Sequence, residues 1–222
     1  MAINVAIDGP AGAGKSSVAK LVAKELGYIY VDTGALYRTV GLYSIRNGID
    51  TKNADAVAAT LPEIEVKLGF VDGAQHVFLN GEDVSEAIRT PEASMGASNV
   101  SAIPAVRAFL FDLQRDIAKN NNCIMDGRDI GTVVLPDAQI KIFLTASAES
   151  RAQRRYKELI EKGEKVDFND VLDDINKRDY QDMHREIAPL KQAEDAIFVD
   201  NSNCNLEEGA EMLLKIIHEK VG

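Results

Sequence analysis

Residues 3–16 read INVAIDGPAGAGKS, Ile3 to Ser16, and the way this stretch must run decides the fold. Ile3 to Asp8 is a short apolar, β-branched run and reads as a buried strand. Side chains then almost vanish: Gly9, Pro10, Ala11, Gly12, Ala13 and Gly14 lead into Lys15 and Ser16, the pattern GxxxxGK[ST]. A backbone with so few Cβ atoms curls until successive N–H groups point inward at an anion. SSVAKLVAKEL follows, with Val18, Leu21, Val22 and Leu26 at helical spacing and Gly27 as the stop. Strand, glycine loop and helix in that order form a phosphate cradle at a helix N-terminus. A nucleoside triphosphate is expected along Gly9 to Ser17. Lys15 is expected on its β- and γ-phosphates, and the Ser16 hydroxyl on Mg²⁺ that keeps most of its waters.

Beyond this stretch, YIYVDTG reads as a second strand, CIMDGRDIG contains a third, AQIKIFLTA a fourth and DAIFVDNS a fifth. Helical patterns lie between them, the last from about Leu206 to Lys220. The fold class is therefore α/β: a parallel sheet, five-stranded by this count, covered by helices. One segment breaks the alternation. EIEVKLGFVDGAQHVFLNGEDVS, about residues 63–84, holds two alternating runs around DGAQ and then an NG turn, a small antiparallel insert. Two readings of it stay open: a decorative insertion, or an enlarged flap for substrate.

The chain has 222 residues, 45% hydrophobic and 27% charged, which suits one globular unit with a small insert. A net charge of −10 argues against a general nucleic-acid surface, so anions must be met by local cationic clusters. Cys123 and Cys204 form no CxxC or metal pattern, which points to a reducing cytoplasm. No apolar run approaches the ~20 residues of a membrane span, and the N-terminus lacks a signal-peptide pattern. No exposed apolar pattern demands a dimer, so a monomer is expected.

The phosphate loop does not choose between a switch and a kinase. Asn176-Lys177-Arg178-Asp179 matches the guanine-reading NKxD pattern, but it lies in a polar helical stretch, and no Asp has Gly three positions later. A kinase needs a second, cationic acceptor site. DTGALYR puts Asp32, Thr33 and Arg38 past the second strand, and DGRD puts Arg128 and Asp129 past the third, the carboxyl edge where ligands sit in such sheets. Arg151, Arg154 and Arg155 share one helix face, as do Arg178, Asp182 and Arg185. Taken alone, each set also reads as a solvated or self-paired face. Their number in an acidic chain favours phosphate binding, which planar guanidinium forks suit.

GPAGAGKS, DTGALYR, IRTPE with ASNVSAIPAVR, DGRDIGTVV, and RAQRR with KRDYQDMHREIAPL, in this order, resemble bacterial cytidylate kinases, which belong to the nucleoside monophosphate kinases. The resemblance implies a core (1–35 and 105–222) with a lid at about 150–185. It further implies an acceptor-binding region (36–104) that contains the insert. The activity implied is transfer of the ATP γ-phosphoryl group to CMP or dCMP. It places Asp32, Thr33, Ser98, Arg107 and Asp129 around the acceptor, with Arg38, Arg128 and Arg185 on its phosphate and Arg178 and Asp182 on its ribose. Lys15, Arg128, Arg185 and Arg154 would carry catalysis, Arg151 and Arg155 would contact ATP, and the loop at Asn201–Asn203 would lie near adenine. Chemistry supports the base assignment separately, because the cytosine amino group is a donor and the Asp129 carboxylate an acceptor.

Overall fold

The computed structural model describes residues 2–71 and 74–221. Asp72 and Gly73, within the expected DGAQ turn, lie outside the described residues. β1 (Asn4–Asp8) runs through the glycine loop into α1 (Lys15–Leu26), which ends at Gly27 in the left-handed conformation. β2 (Ile29–Asp32) and α2 (Thr33–Arg46) follow, then α3 (Ala54–Thr60) and the insert strands β3 (Val66–Val71), β4 (Ala74–Leu79) and β5 (Glu82–Asp83). α4 (Pro91–Val100) and α5 (Pro104–Asn120) lead to β6 (Cys123–Gly127). The chain closes with β7 (Ile140–Thr145), α6 (Ala148–Glu161), α7 (Phe168–His184), β8 (Ile197–Asp200) and α8 (Leu206–Val221). Short polar side chains start many of these helices: Asp32, Asn53, Thr90, Ser147 and Asp167 each accept a first-turn backbone N–H.

All five expected core strands form, and they build a parallel sheet in the order β2-β6-β1-β7-β8. Val5 lies opposite Ile140 and Asp8 opposite Phe143, while Ile142 to Thr145 pair with Ile197 to Asp200. This register decides the first residue of the phosphate loop. A Cβ on Gly9 would overlap the Leu144 carbonyl oxygen of β7, and Gly9 has φ +152°. Glycine is required there by the neighbouring strand.

The chain packs as two compact units, Ile3–Tyr28 with the chain from Ile124 onward, and Ile29–Cys123. In the first, Cys123's neighbours Ile124 and Met125 are fully buried strand residues, as is Ile7, and α6 and α7 pack together through Ala152, Leu159, Val171 and Ile175. In the second, α2 and α4 cross with almost no gap: a Cβ on Gly41 would come within 2.9 Å of the Gly96 carbonyl carbon. The insert is a three-stranded antiparallel sheet, β3-β4-β5, with the expected NG turn at Asn80 (φ +50°) and Gly81 (φ +86°). Its inner residues Val66, Val77, Leu79 and Val84 share one buried cluster with Leu36, Val40 and Val100.

Candidate active site

The first unit gathers its chemistry around the glycine loop. Lys15 is buried, and its Nζ donates to the Gly9 and Pro10 carbonyls, both at 2.8 Å. Burial pushes this ammonium down, and the Arg128 charge adds to the effect, opposed by Asp126, Asp182 and Asp8. The Ser16 hydroxyl donates to Asp126 Oδ2 at 2.7 Å. A hydroxyl and a buried carboxylate at the root of a phosphate loop are hard oxygen donors, the set a small divalent cation takes.

Behind the loop stands Asp8, buried, accepting the backbone N–H groups of Ile130 and Gly131, each at 2.7 Å. These amides open a single π-type turn, Ile130–Val134, so Asp8 holds the backbone next to Asp129. Burial pushes Asp8 up to about 6 in spite of those two bonds, and the Asp129 charge adds to the rise. Between an aspartate's ordinary 3.8 and about 6 the folded state holds the proton that the unfolded chain loses, so stability falls as pH rises. Asp8→Asn removes this titration. From pH 3.8 to about 6, wild type is expected to lose about 2 kcal/mol of unfolding free energy relative to Asp8→Asn. Denaturant titrations across that range test it, and parallel stability curves would refute it.

The predicted arginines of the first unit differ in what they bind. Arg128 Nε donates to Asp182 at 2.7 Å, and Arg185 Nη2 donates to Asp129 at 3.3 Å. Burial alone would raise the Asp182 carboxyl, but the Arg128 guanidinium, joined by Arg178 and Arg185, holds it below the usual carboxylate range. Arg151, on α6, is buried and binds the loop itself: it donates to the Ala11 carbonyl at 3.0 Å and pairs with both Asp179 oxygens. Asp179 is the last residue of the NKxD match, so in this fold it anchors an arginine from within α7. Arg154 donates to the Asn201 carbonyl at 2.6 Å and to the Asn201 side chain at 3.2 Å, and lies 3.5 Å from the Ala13 carbonyl. Arg155 is half-buried and pairs with Glu158, one turn along α6.

The second unit carries the remaining predicted residues. Asp32 caps α2 by accepting from Ala35 N at 3.0 Å, and its other oxygen takes Arg38 Nη2 at 2.6 Å. Thr33 is buried beside it. Arg107, also buried, sits over the Tyr37 ring at 5.9 Å and reaches the Ser101 carbonyl, while the Ser98 carbonyl accepts from Ser101 Oγ at 2.9 Å. Asp8, Asp126 and Asp179 were not expected at the site. Asp8 and Asp126 each end an apolar strand, and Asp179 lies in the NKxD match, but nothing local marks their roles because their partners are remote in sequence.

Known proteins bear on this geometry in two ways. By fold, the chain is similar to a shikimate kinase from Bacteroides thetaiotaomicron, with a TM-score of 0.51 at 12% identity over 97% of this chain and 98% of that one. By sequence the likeness is far closer. Cytidylate kinase of Caldicellulosiruptor saccharolyticus is 52% identical over 220 residues, covering 99% of this chain and 97% of the relative. That of Thermosipho melanesiensis is 50% identical, with 99% of both chains covered. That of Lactobacillus gasseri is 49% identical, over 98% of this chain and 95% of the relative. A family profile described as cytidylate kinase matches residues 5–219, a span that holds the glycine loop, the Asp129 turn and every arginine described above. With that coverage the conclusion is plain: this chain belongs to the cytidylate kinase family.

Proposed function

We propose that this chain transfers the γ-phosphoryl group of ATP to CMP or dCMP, giving ADP with CDP or dCDP. One observation carries the reading. A phosphate loop and a cluster of Arg128, Asp182, Arg185 and Asp129 occur together in a chain whose near-full-length relatives are named cytidylate kinases. A monophosphate acceptor is largely dianionic near neutral pH and needs no general base to attack. Catalysis then rests on positioning and on neutralising charge along the line of transfer.

In the roles proposed, the loop from Gly9 to Ser17 cradles the ATP phosphates, and Lys15 neutralises their β- and γ-oxygens. Arg151 contributes by fixing the Ala11 carbonyl of the loop. Arg154 and Arg155 stand on the lid helix α6, the first against the transferring group. Arg128 and Arg185 hold the acceptor phosphate, Arg178 and Asp182 its ribose, and Asp129 accepts from the cytosine amino group. On the second unit, Arg38 is assigned to the acceptor phosphate, with Asp32 orienting it, and Thr33, Ser98 and Arg107 to the nucleoside. Ser16 and Asp126 form a donor set that fits Mg²⁺. Bound there, the ion would offset charge on the β- and γ-oxygens. Action as a cytoplasmic monomer belongs to the same proposal, as does the lack of a nucleic-acid partner, which the net charge of −10 supports. No helix among the described residues is long and apolar enough to cross a membrane.

The test is ADP formation from Mg²⁺–ATP with CMP, dCMP, UMP, AMP and GMP supplied separately and with no acceptor. Strong turnover with CMP and dCMP and weak turnover with UMP is expected. Turnover favouring another monophosphate would overturn the base assignment, and ATP hydrolysis indifferent to any acceptor would overturn the kinase reading.

A further inference from the structure

The insert has so far had no task, and one side chain gives it one. β2 lies at the end of the strand order, so among the described residues one of its edges has no strand neighbour. An edge of this kind presents backbone N–H and C=O groups that must find partners elsewhere. At Asp32, the last residue of β2, the partner is Gln75 on β4 of the insert. Gln75 Oε1 accepts the Asp32 N–H at 2.8 Å, and Gln75 Nε2 lies 3.5 Å from the Asp32 carbonyl. One planar amide thus meets both polar groups of the residue, as an added strand would. The N–H contact is the strong one, and the second is at the long limit of a hydrogen bond.

What Gln75 holds matters because of what Asp32 holds in turn. The same residue caps α2 at Ala35 N and orients Arg38 through a 2.6 Å ion pair, and Thr33 follows it directly in the chain. Asp32 is therefore fixed at its backbone by the insert and at its carboxylate by the helix and the arginine. We infer that Gln75 is a positioning residue for the acceptor motif Asp32–Thr33–Arg38, and that the insert serves CMP binding by bracing that motif. The inference rests on the assignment of this motif to the acceptor. Glutamine suits the task because it offers an acceptor and a donor in one plane at the end of a two-methylene stem. Glutamate keeps the acceptor but sets a carboxylate against the Asp32 carbonyl, and methionine keeps the length with neither group.

The experiment is steady-state kinetics on the full chain, comparing wild type with Gln75→Met and Gln75→Glu, each alone and combined with Arg38→Ala. Losing this bond is expected to raise KM for CMP about 3- to 10-fold. KM for ATP and kcat are expected to stay within about twofold, since the phosphate loop is untouched. In the Arg38→Ala background the Gln75 effect is expected to shrink, because one of the groups it positions is already gone while Thr33 remains. Equal increases in both KM values, or an undiminished effect in that background, would mark a general structural role and overturn the inference. So would an unchanged KM for CMP in a wild-type-like melt. Should Gln75→Met fail to fold, Gln75→Glu carries a weaker form of the test, since it keeps the acceptor for the Asp32 N–H and sets a carboxylate against the Asp32 carbonyl, so a smaller rise in KM for CMP is expected. Failure of the functional reading looks different: wild type itself would then show no CMP-dependent turnover.

Discussion

Replacing Lys15 with methionine is expected to lower kcat about 10³-fold while leaving the midpoint of thermal unfolding at or above that of wild type. The two halves of this expectation come from the same burial. A positive group held against phosphate oxygens away from water is worth far more than one in solvent, and losing a donor of this kind costs about 10²–10³ or more in rate. Yet with its side chain buried, burial and the Arg128 charge both disfavour the Lys15 ammonium. A lysine pushed below its ordinary value binds fewer protons folded than unfolded, so its charge costs stability at neutral pH. The effective penalty for an ion taken out of water is several kcal/mol. Against it stand the bonds to the Gly9 and Pro10 carbonyls, about 1.5–3 kcal/mol each for a charged donor. These terms offset each other, and methionine fills the same length without charge. The check is kcat at saturating Mg²⁺–ATP and CMP beside a melting curve. Lost activity with a fall of many degrees in the melt would show that Lys15 serves the fold more than the reaction.

This trade-off also shows which parts of the site the sequence could reveal. The strand, glycine loop and helix of residues 3–26 were legible because every signal there is local: an apolar run, a spacing of glycines, a 3.6-residue period. The remaining core strands and the Asn80–Gly81 turn were legible for the same reason. The supports of the site were not. Asp126 reads as the end of a buried strand, and its tie to Ser16 spans 110 residues. Asp8 reads likewise, while its two amide partners lie 122 and 123 residues on. Asp179 was visible only as part of a guanine-reading pattern, and the fold uses it to grip Arg151. Gln75 sits in the polar alternation of a strand, where nothing distinguishes a brace from a solvated side chain. Likewise the close crossing of Gly41 and Gly96 joins two helices whose sequences carry no mark of it. Chemistry that touches substrate follows motifs, whereas the groups that hold it in place are chosen by contacts remote along the chain.

Asp129 lies between these two kinds of residue, and Asp129→Asn is expected to raise the UMP-to-CMP ratio of kcat/KM by about 5- to 150-fold. A well-placed polar contact to a base edge is worth about 1–3 kcal/mol of discrimination, which converts to that range. The carboxylate only accepts, so it suits the amino group of cytosine and opposes the carbonyl that uracil presents there. Asparagine offers an amide N–H₂ that reverses the preference, while its carbonyl oxygen keeps an acceptor for Arg185 Nη2, now at 3.3 Å from Asp129 Oδ1. The half-buried Arg185 then faces a neutral partner, so a lower melting temperature is expected as well, with a smaller drop than if the pair were broken outright. The preference depends on aim as much as on charge, and the aim is set by Asp8 through the Ile130 and Gly131 amides. Asp8→Asn would turn one amide hydrogen of its own toward those donors and shift the turn. Discrimination should therefore weaken in Asp8→Asn too, through lost CMP turnover without the gain in UMP turnover that Asp129→Asn brings. Assays of CMP and UMP on both variants separate the residue that reads the base from the one that aims it. A ratio unmoved in Asp129→Asn would remove Asp129 from base recognition and leave the family membership standing.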